Sequence, residues 1–126
     1  MTPDIALVFC VALGALAVFQ VLLVLGLPLG RYAWGGQHRV LPARLRAGSA
    51  VAVVIYAVMA VVALDRSGLI AVLPARPVAV VAMWVVAGYL LLSVLANLAS
   101  KSKSEKWAMV PVSLLLSALA FAIAVS

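Results

Sequence analysis

Charge is the scarcest commodity in this chain. Lys, Arg, Asp and Glu together make up 10% of its 126 residues, against about 25% in soluble globular domains. Only three residues are acidic: Asp4, Asp65 and Glu105. With so few carboxylates and the single histidine His38, no Ser/His/Asp arrangement can be assembled, and His38 has no His, Cys or carboxylate nearby to complete a metal site. Cysteine is equally sparse. Cys10 is alone, which rules out a disulfide within the chain and any CxxC redox or thiolate-metal chemistry. The residues thus point to no cofactor, no metal and no catalytic constellation.

What is abundant is apolar surface. Hydrophobic residues form 68% of the chain and mean hydropathy is +1.31. A water-soluble fold of this length could not cover that surface, so lipid has to be the solvent for most of it. The expected fold class is all-α: a polytopic membrane protein, a single transmembrane domain over residues 1–126. Irregular backbone exposed to hydrocarbon would leave polar groups unpaired, so the spans must be helices. A hydrocarbon core of about 30 Å needs roughly 20 helical residues. Four runs meet that length, approximately 5–29, 47–64, 78–98 and 108–125, giving a four-helix bundle built of two helical hairpins. The N-terminal Met-Thr-Pro-Asp has no Lys or Arg, so the first run is expected to be a retained span and not a signal peptide.

Between the runs lie basic loops at 30–46 and 99–107. They carry Arg31, Arg39, Arg44, Arg46, Lys101, Lys103 and Lys106, whereas the middle loop carries Arg66 and Arg76. Seven against two places the first and third loops on the cytoplasmic side and both termini outside, in a cytoplasmic (inner) membrane. The net charge of +6 then reflects topology and attraction to anionic headgroups, with no nucleic acid implied. Trp34 and Tyr32 suit headgroup-level anchoring. Pro42 suits a helix start, where its missing N–H would be unpaired anyway. Ser102 and Glu105 have capping-box spacing. Residues 67–73 are expected to form a short interfacial helix or a re-entrant corner. Pro111 should bend the fourth helix.

In lipid, helices meet through small residues and interhelical hydrogen bonds, because apolar burial gives no preference there. The expected inward faces are Cys10, Gly14, Ala17 and Val21 on the first helix, and Gly48, Ala52, Tyr56, Ala60 and Ala63 on the second. On the third they are Tyr89, Ser93 and Asn97, and on the fourth Ser113, Ser117, Ala120 and Ala124. By depth, Tyr56 and Tyr89 fall near the midplane, and Gln20, Ser93, Asn97 and Ser113 fall in the inner half. These six polar residues read either as packing contacts or as the lining of a path for a small solute or ion. No ionisable residue falls inside a predicted span, which argues against proton-coupled transport. In the basic loop, Arg31, Trp34, His38, Arg39, Arg44 and Arg46 read either as topology and headgroup anchoring or as an anion or headgroup site. There Gly35-Gly36 would let backbone N–H groups approach the ligand.

The pattern Gly26-x-Pro28-x-Gly30-x-x-x-Trp34-Gly35-Gly36, followed by Leu41-Pro42-x-x-x-Arg46, Asp65-Arg66-x-Gly68 and Asn97 with Ser100, resembles a group of short bacterial integral membrane proteins. That resemblance covers nearly the whole chain. It implies a cytoplasmic-membrane location and carries no activity or site. The expected function is therefore a non-enzymatic membrane module acting by helix association, as a homo-oligomer or an accessory subunit of a membrane complex. The alternatives are a small channel or carrier for a small solute or anion, and a lipid-binding or lipid-acting protein.

Overall fold

The computed structural model describes residues 2–126, and all of its regular structure is helical. Four long helices, α1 (Thr2–Val24), α2 (Ala43–Arg66), α3 (Arg76–Leu98) and α4 (Lys103–Val125), run up and down in sequence order. Each is long and apolar enough to cross a membrane. At 1.5 Å per residue a helix of this length reaches about 35 Å, enough for the hydrocarbon core with one turn to spare. Packing is closest within the two hairpins, α1 with α2 and α3 with α4. The hairpins join through α1 on α4 and α2 on α3, which makes a four-membered ring with little contact across the diagonal from α2 to α4.

The two ends of the ring differ. At the end holding the second loop, a continuous core fills the interior. Phe9 and Leu13 of α1 meet Met59 and Ala63 of α2, Met83 and Ala87 of α3, and Ala120 and Ile123 of α4. The loop between α2 and α3 folds back there as an irregular turn. Residues 67–73 form no helix, because the Asp65 carboxylate takes their backbone. Its Oδ2 accepts hydrogen bonds from Val72 N–H at 2.6 Å and Leu73 N–H at 2.7 Å.

At the other end the core is a small cap in which the first loop tucks Ala33 and Leu41 onto Leu23 of α1. This loop is the most structured of the three. It contains two single 3-10 turns, Gly30–Tyr32 and Trp34–Gly36. Gly30 N–H bonds to Arg39 carbonyl at 2.8 Å, closing the loop on itself. A Cβ on Gly30 would stand 1.9 Å from the His38 carbonyl oxygen, so only glycine allows that closure.

Three expectations are corrected. First, the helices are placed differently from the apolar runs. α1 ends at Val24, and α2 and α4 start four and five residues earlier than expected. The α4 start follows from its cap, since Ser102 Oγ accepts from Glu105 N–H at 3.2 Å and pulls Lys103 to Trp107 into the helix. Second, two ionisable side chains are therefore buried in helices: Arg66 at 7% exposure in the last turn of α2, and Glu105 at 8% in the first turn of α4. Arg66 donates to the carbonyls of Ala124 (3.5 Å) and Ser126, closing the C-terminal end of α4. Third, α1 turns a different face inward. Gly14 and Val21 are exposed, whereas Ala6, Phe9, Leu13 and Leu23 are buried. Cys10 sits half-buried beside α2, its thiol 3.8 Å from Ala60 carbonyl. The α4 face is as expected, with Ser113, Ser117, Ala120 and Ala124 all buried. On α2, Ala63 is buried and the other four residues of its face are half-buried.

Candidate functional site

Between the packed end and the cap formed by the first loop, the four helices do not close on one another. They line a half-open cavity of about 210 Å³, several times the roughly 30 Å³ that one water occupies in the liquid. All four helices and the first loop contribute to its wall. Gln20 comes from α1, Tyr56 from α2, Tyr89, Ser93 and Asn97 from α3, and Ser113 from α4. These are the six polar residues that depth places from the midplane into the inner half. Along α4 the wall runs from Glu105 to Leu116, about 16 Å at helical rise, so the space is long and narrow. Its floor is Leu16, Leu90 and Leu116, where the packed core begins.

Each polar side chain is placed by its helix. Asn97 Nδ2 donates to Ser113 Oγ at 3.2 Å, tying α3 to α4. The Ser113 hydroxyl in turn donates back along its own helix, to Met109 carbonyl at 2.8 Å or Val110 carbonyl at 3.1 Å. This back-bonding lies beside Pro111, whose ring removes one helical N–H and loosens the ladder there. On α3, Ser93 Oγ likewise bonds to Tyr89 carbonyl at 3.2 Å. Tyr89 itself is 46% exposed and stands at the outer edge of the wall, not inside it. Opposite, Gln20 Nε2 reaches Tyr56 Oη at 3.4 Å, a long bond that joins α1 to α2. The other end of the same amide, Gln20 Oε1, is buried with no hydrogen-bond partner. Buried polar atoms without partners are few in folded proteins, and each calls for a physical explanation.

The first loop roofs the cavity with Tyr32, Ala33 and Trp34. Trp34 has φ +52° and is followed by Gly35 at +78° and Gly36 at +71°. A left-handed tryptophan costs about 1–2 kcal/mol, and its anchors offset that cost. The indole N–H donates to Ser49 Oγ at 3.0 Å, and the ring lies on Gly48, where an added Cβ would come within 2.7 Å of it. Ser49 is fully buried. Gly36 packs against α4, where a Cβ would stand 2.4 Å from Ser102. From there Ser102 Oγ donates to Arg31 carbonyl at 2.8 Å, and Glu105 Oε2 accepts from Gly35 N–H at 3.3 Å. The Trp-Gly-Gly run thus has a mechanical role. It bends the loop so that the indole closes the α2 side and the bare backbone docks on the start of α4.

Glu105 is the residue that sequence reasoning missed. By sequence it falls in the basic loop 99–107, ahead of the last apolar run. Its S-x-x-E spacing to Ser102 was the available signal. In a full capping box the glutamate reaches back to the cap's own N–H. Here Oε2 is taken by Gly35 instead, and the carboxylate lies in the cavity wall.

The basic residues are not gathered into one pocket. Arg31, Arg39 and Arg44 are exposed. Arg31 folds over its neighbour, with its guanidinium 4.7 Å from the Tyr32 ring centroid and Nη2 2.6 Å from Tyr32 Oη. Arg46 packs against Gly26, where a Cβ would collide with its guanidinium, and its Nε is buried without a partner. His38 is half-buried and its Nδ1 is likewise unpartnered. Trp34 belongs to the cavity roof and not to a basic cluster. The chain matches no protein-family model, no curated protein and no solved structure.

Proposed function

We propose that this small integral membrane protein binds a small polar solute in the cavity beneath its first loop and works as a carrier. One observation bears most of the weight: Gln20 Oε1 is a buried acceptor with no partner, on the wall of a cavity large enough for a solute. In a helix bundle that served only to associate, each polar group would be expected to find a partner on a neighbouring helix, and interhelical hydrogen bonds there contribute about 0.6 kcal/mol each. An unmet acceptor beside open space suits a ligand that brings a donor. The packed core at the opposite end favours a carrier over a channel, because Phe9, Met83 and Ile123 fill the path that a continuous pore would need. Assembly as a homo-oligomer or accessory subunit is compatible with this reading but leaves Gln20 unexplained.

In this reading the first and third loops face the cytoplasm of a bacterial inner membrane and both termini lie outside. Exposed Arg39 and Arg44 then lie among anionic headgroups, where each basic residue contributes about 1 kcal/mol to surface attraction. The cavity is loaded from the cytoplasmic side.

Counterflow in proteoliposomes tests the proposal, with glycerol, chloride, rubidium and ethylammonium as separate probes. A carrier exchanges at least one of them faster than protein-free vesicles do, and Asn97→Leu, which fills the cavity, abolishes the exchange. Background flux for all four probes contradicts it.

A further inference from the structure

Resting on the reading of this cavity as a binding site, we infer that its ligand is a small organic ammonium ion. The wall is unusually aromatic. Phe19, Tyr32, Trp34 and Tyr56 line it and Tyr89 stands at its outer edge, so five of the nine aromatic residues of the chain border one cavity. Aromatic rings present a negative face, and a cation within about 6 Å of a ring centroid is attracted by it, more so where water is excluded. Aromatic rings recognise ammonium groups because the cation can shed water without needing a hydrogen bond from every side.

The same wall carries one formal charge, and it is negative. Glu105 is 8% exposed, and its Oε2 is held by a neutral backbone N–H from Gly35. A buried carboxylate satisfied only by a neutral donor is an expensive arrangement unless a cation completes it. Its Oε1 takes no hydrogen bond among the described residues and stays reachable by water or a ligand, and the buried, unmet Gln20 Oε1 is a second acceptor on the same wall. Two free acceptors and a set of rings suit a ligand that brings positive charge and a hydrogen-bond donor. An anion fits badly, since none of the nine basic side chains lines the cavity. Arg31, the cation nearest the roof by its contact with Tyr32, is exposed, so water and salt screen it.

A matched pair of probes separates charge from shape. Choline and 3,3-dimethylbutan-1-ol have the same outline and the same hydroxyl, but a carbon replaces the charged nitrogen in the second. Calorimetry on the purified protein in nanodiscs should show choline binding about tenfold or more tighter than the alcohol, a ratio equal to about 1.4 kcal/mol. In Glu105→Gln, where the side-chain oxygen still accepts from Gly35, the ratio should fall several-fold, to the smaller preference that the rings alone supply. Equal binding of the two probes to the unaltered protein overturns the ammonium assignment while leaving the cavity as a binding site. Binding of neither overturns both. A full tenfold preference surviving in a folded Glu105→Gln protein overturns the role given to the carboxylate.

Discussion

Single residues decide where this bundle is open and where it is shut. Gly48 is the clearest case, because the Trp34 ring rests where its side chain would be. Replacing it by alanine pushes the indole outward and breaks the bond to Ser49. The expected cost is about 1–3 kcal/mol, typical of overpacking at a tight contact, seen as a lower unfolding midpoint and red-shifted Trp34 emission in a protein whose other two tryptophans are changed to phenylalanine. Unchanged emission and midpoint would show that Trp34 does not hold the roof. The Asn97–Ser113 bond sets a second test. A double-mutant cycle on the alanine variants should give a coupling of about 0.6 kcal/mol. That small value is itself informative: the polar residues contribute too little to explain their gathering as stabilisation. At this scale Glu105 could not be read from sequence, because its burial depends on Gly35, seventy positions earlier in the chain. Gln20 and Tyr56 were legible, since a strongly polar side chain inside an apolar run stands out without knowledge of its partner.

At the scale of elements, the cap on α4 decides whether Glu105 is helical and walled in, or loose in a loop. Ser102 holds the helix start with one oxygen that both accepts from Glu105 N–H and donates to Arg31 carbonyl. Ser102→Ala should cost about 1 kcal/mol and should selectively raise hydrogen exchange at Glu105 and Lys106, leaving exchange near Ala120 unchanged. If exchange rises equally along α4, the cap is not acting locally. The other end of α4 depends on Arg66. Arg66→Met removes a charged donor from the carbonyls of Ala124 and Ser126 and should destabilise the bundle by about 2 kcal/mol, within the range for hydrogen bonds to charged groups. Elements also show where sequence reasoning stops. Four helices were legible because a bilayer imposes one length on every span. The inward face of α1 was not, because that helix is apolar all round and carries no stripe to mark it. Its face is chosen by shape, with Phe9 and Leu13 filling space that Gly14 would leave empty. The choice between a helix and a corner at 67–73 was not legible for a related reason: Asp65 gathers the backbone of Val72 and Leu73, and nothing in the local sequence announces that.

The whole molecule is a bundle of two unlike halves, one packed with apolar side chains and one held apart around a polar space. Lipid is the solvent outside both, which is why valines such as Val51, Val54 and Val58 on α2 can stay exposed. The division was partly legible, since depth along the helices puts Gln20, Ser93, Asn97 and Ser113 in the inner half and Tyr56 and Tyr89 near the midplane, and all six line the cavity. The roof over them was not, because it depends on how Trp34-Gly35-Gly36 docks on α2 and α4. A binding cavity in this bundle requires water to reach one half and not the other. Thiol labelling in the membrane measures this directly. In a Cys10→Ala background, single cysteines at Ser113 and Asn97 should react with a small water-soluble methanethiosulfonate, whereas a cysteine at Ala120 or Ala87, in the packed half, should not. Labelling of Ser113→Cys and Asn97→Cys no faster than of Ala120→Cys would mean the polar half is as dry as the rest, and the binding cavity would have to be given up.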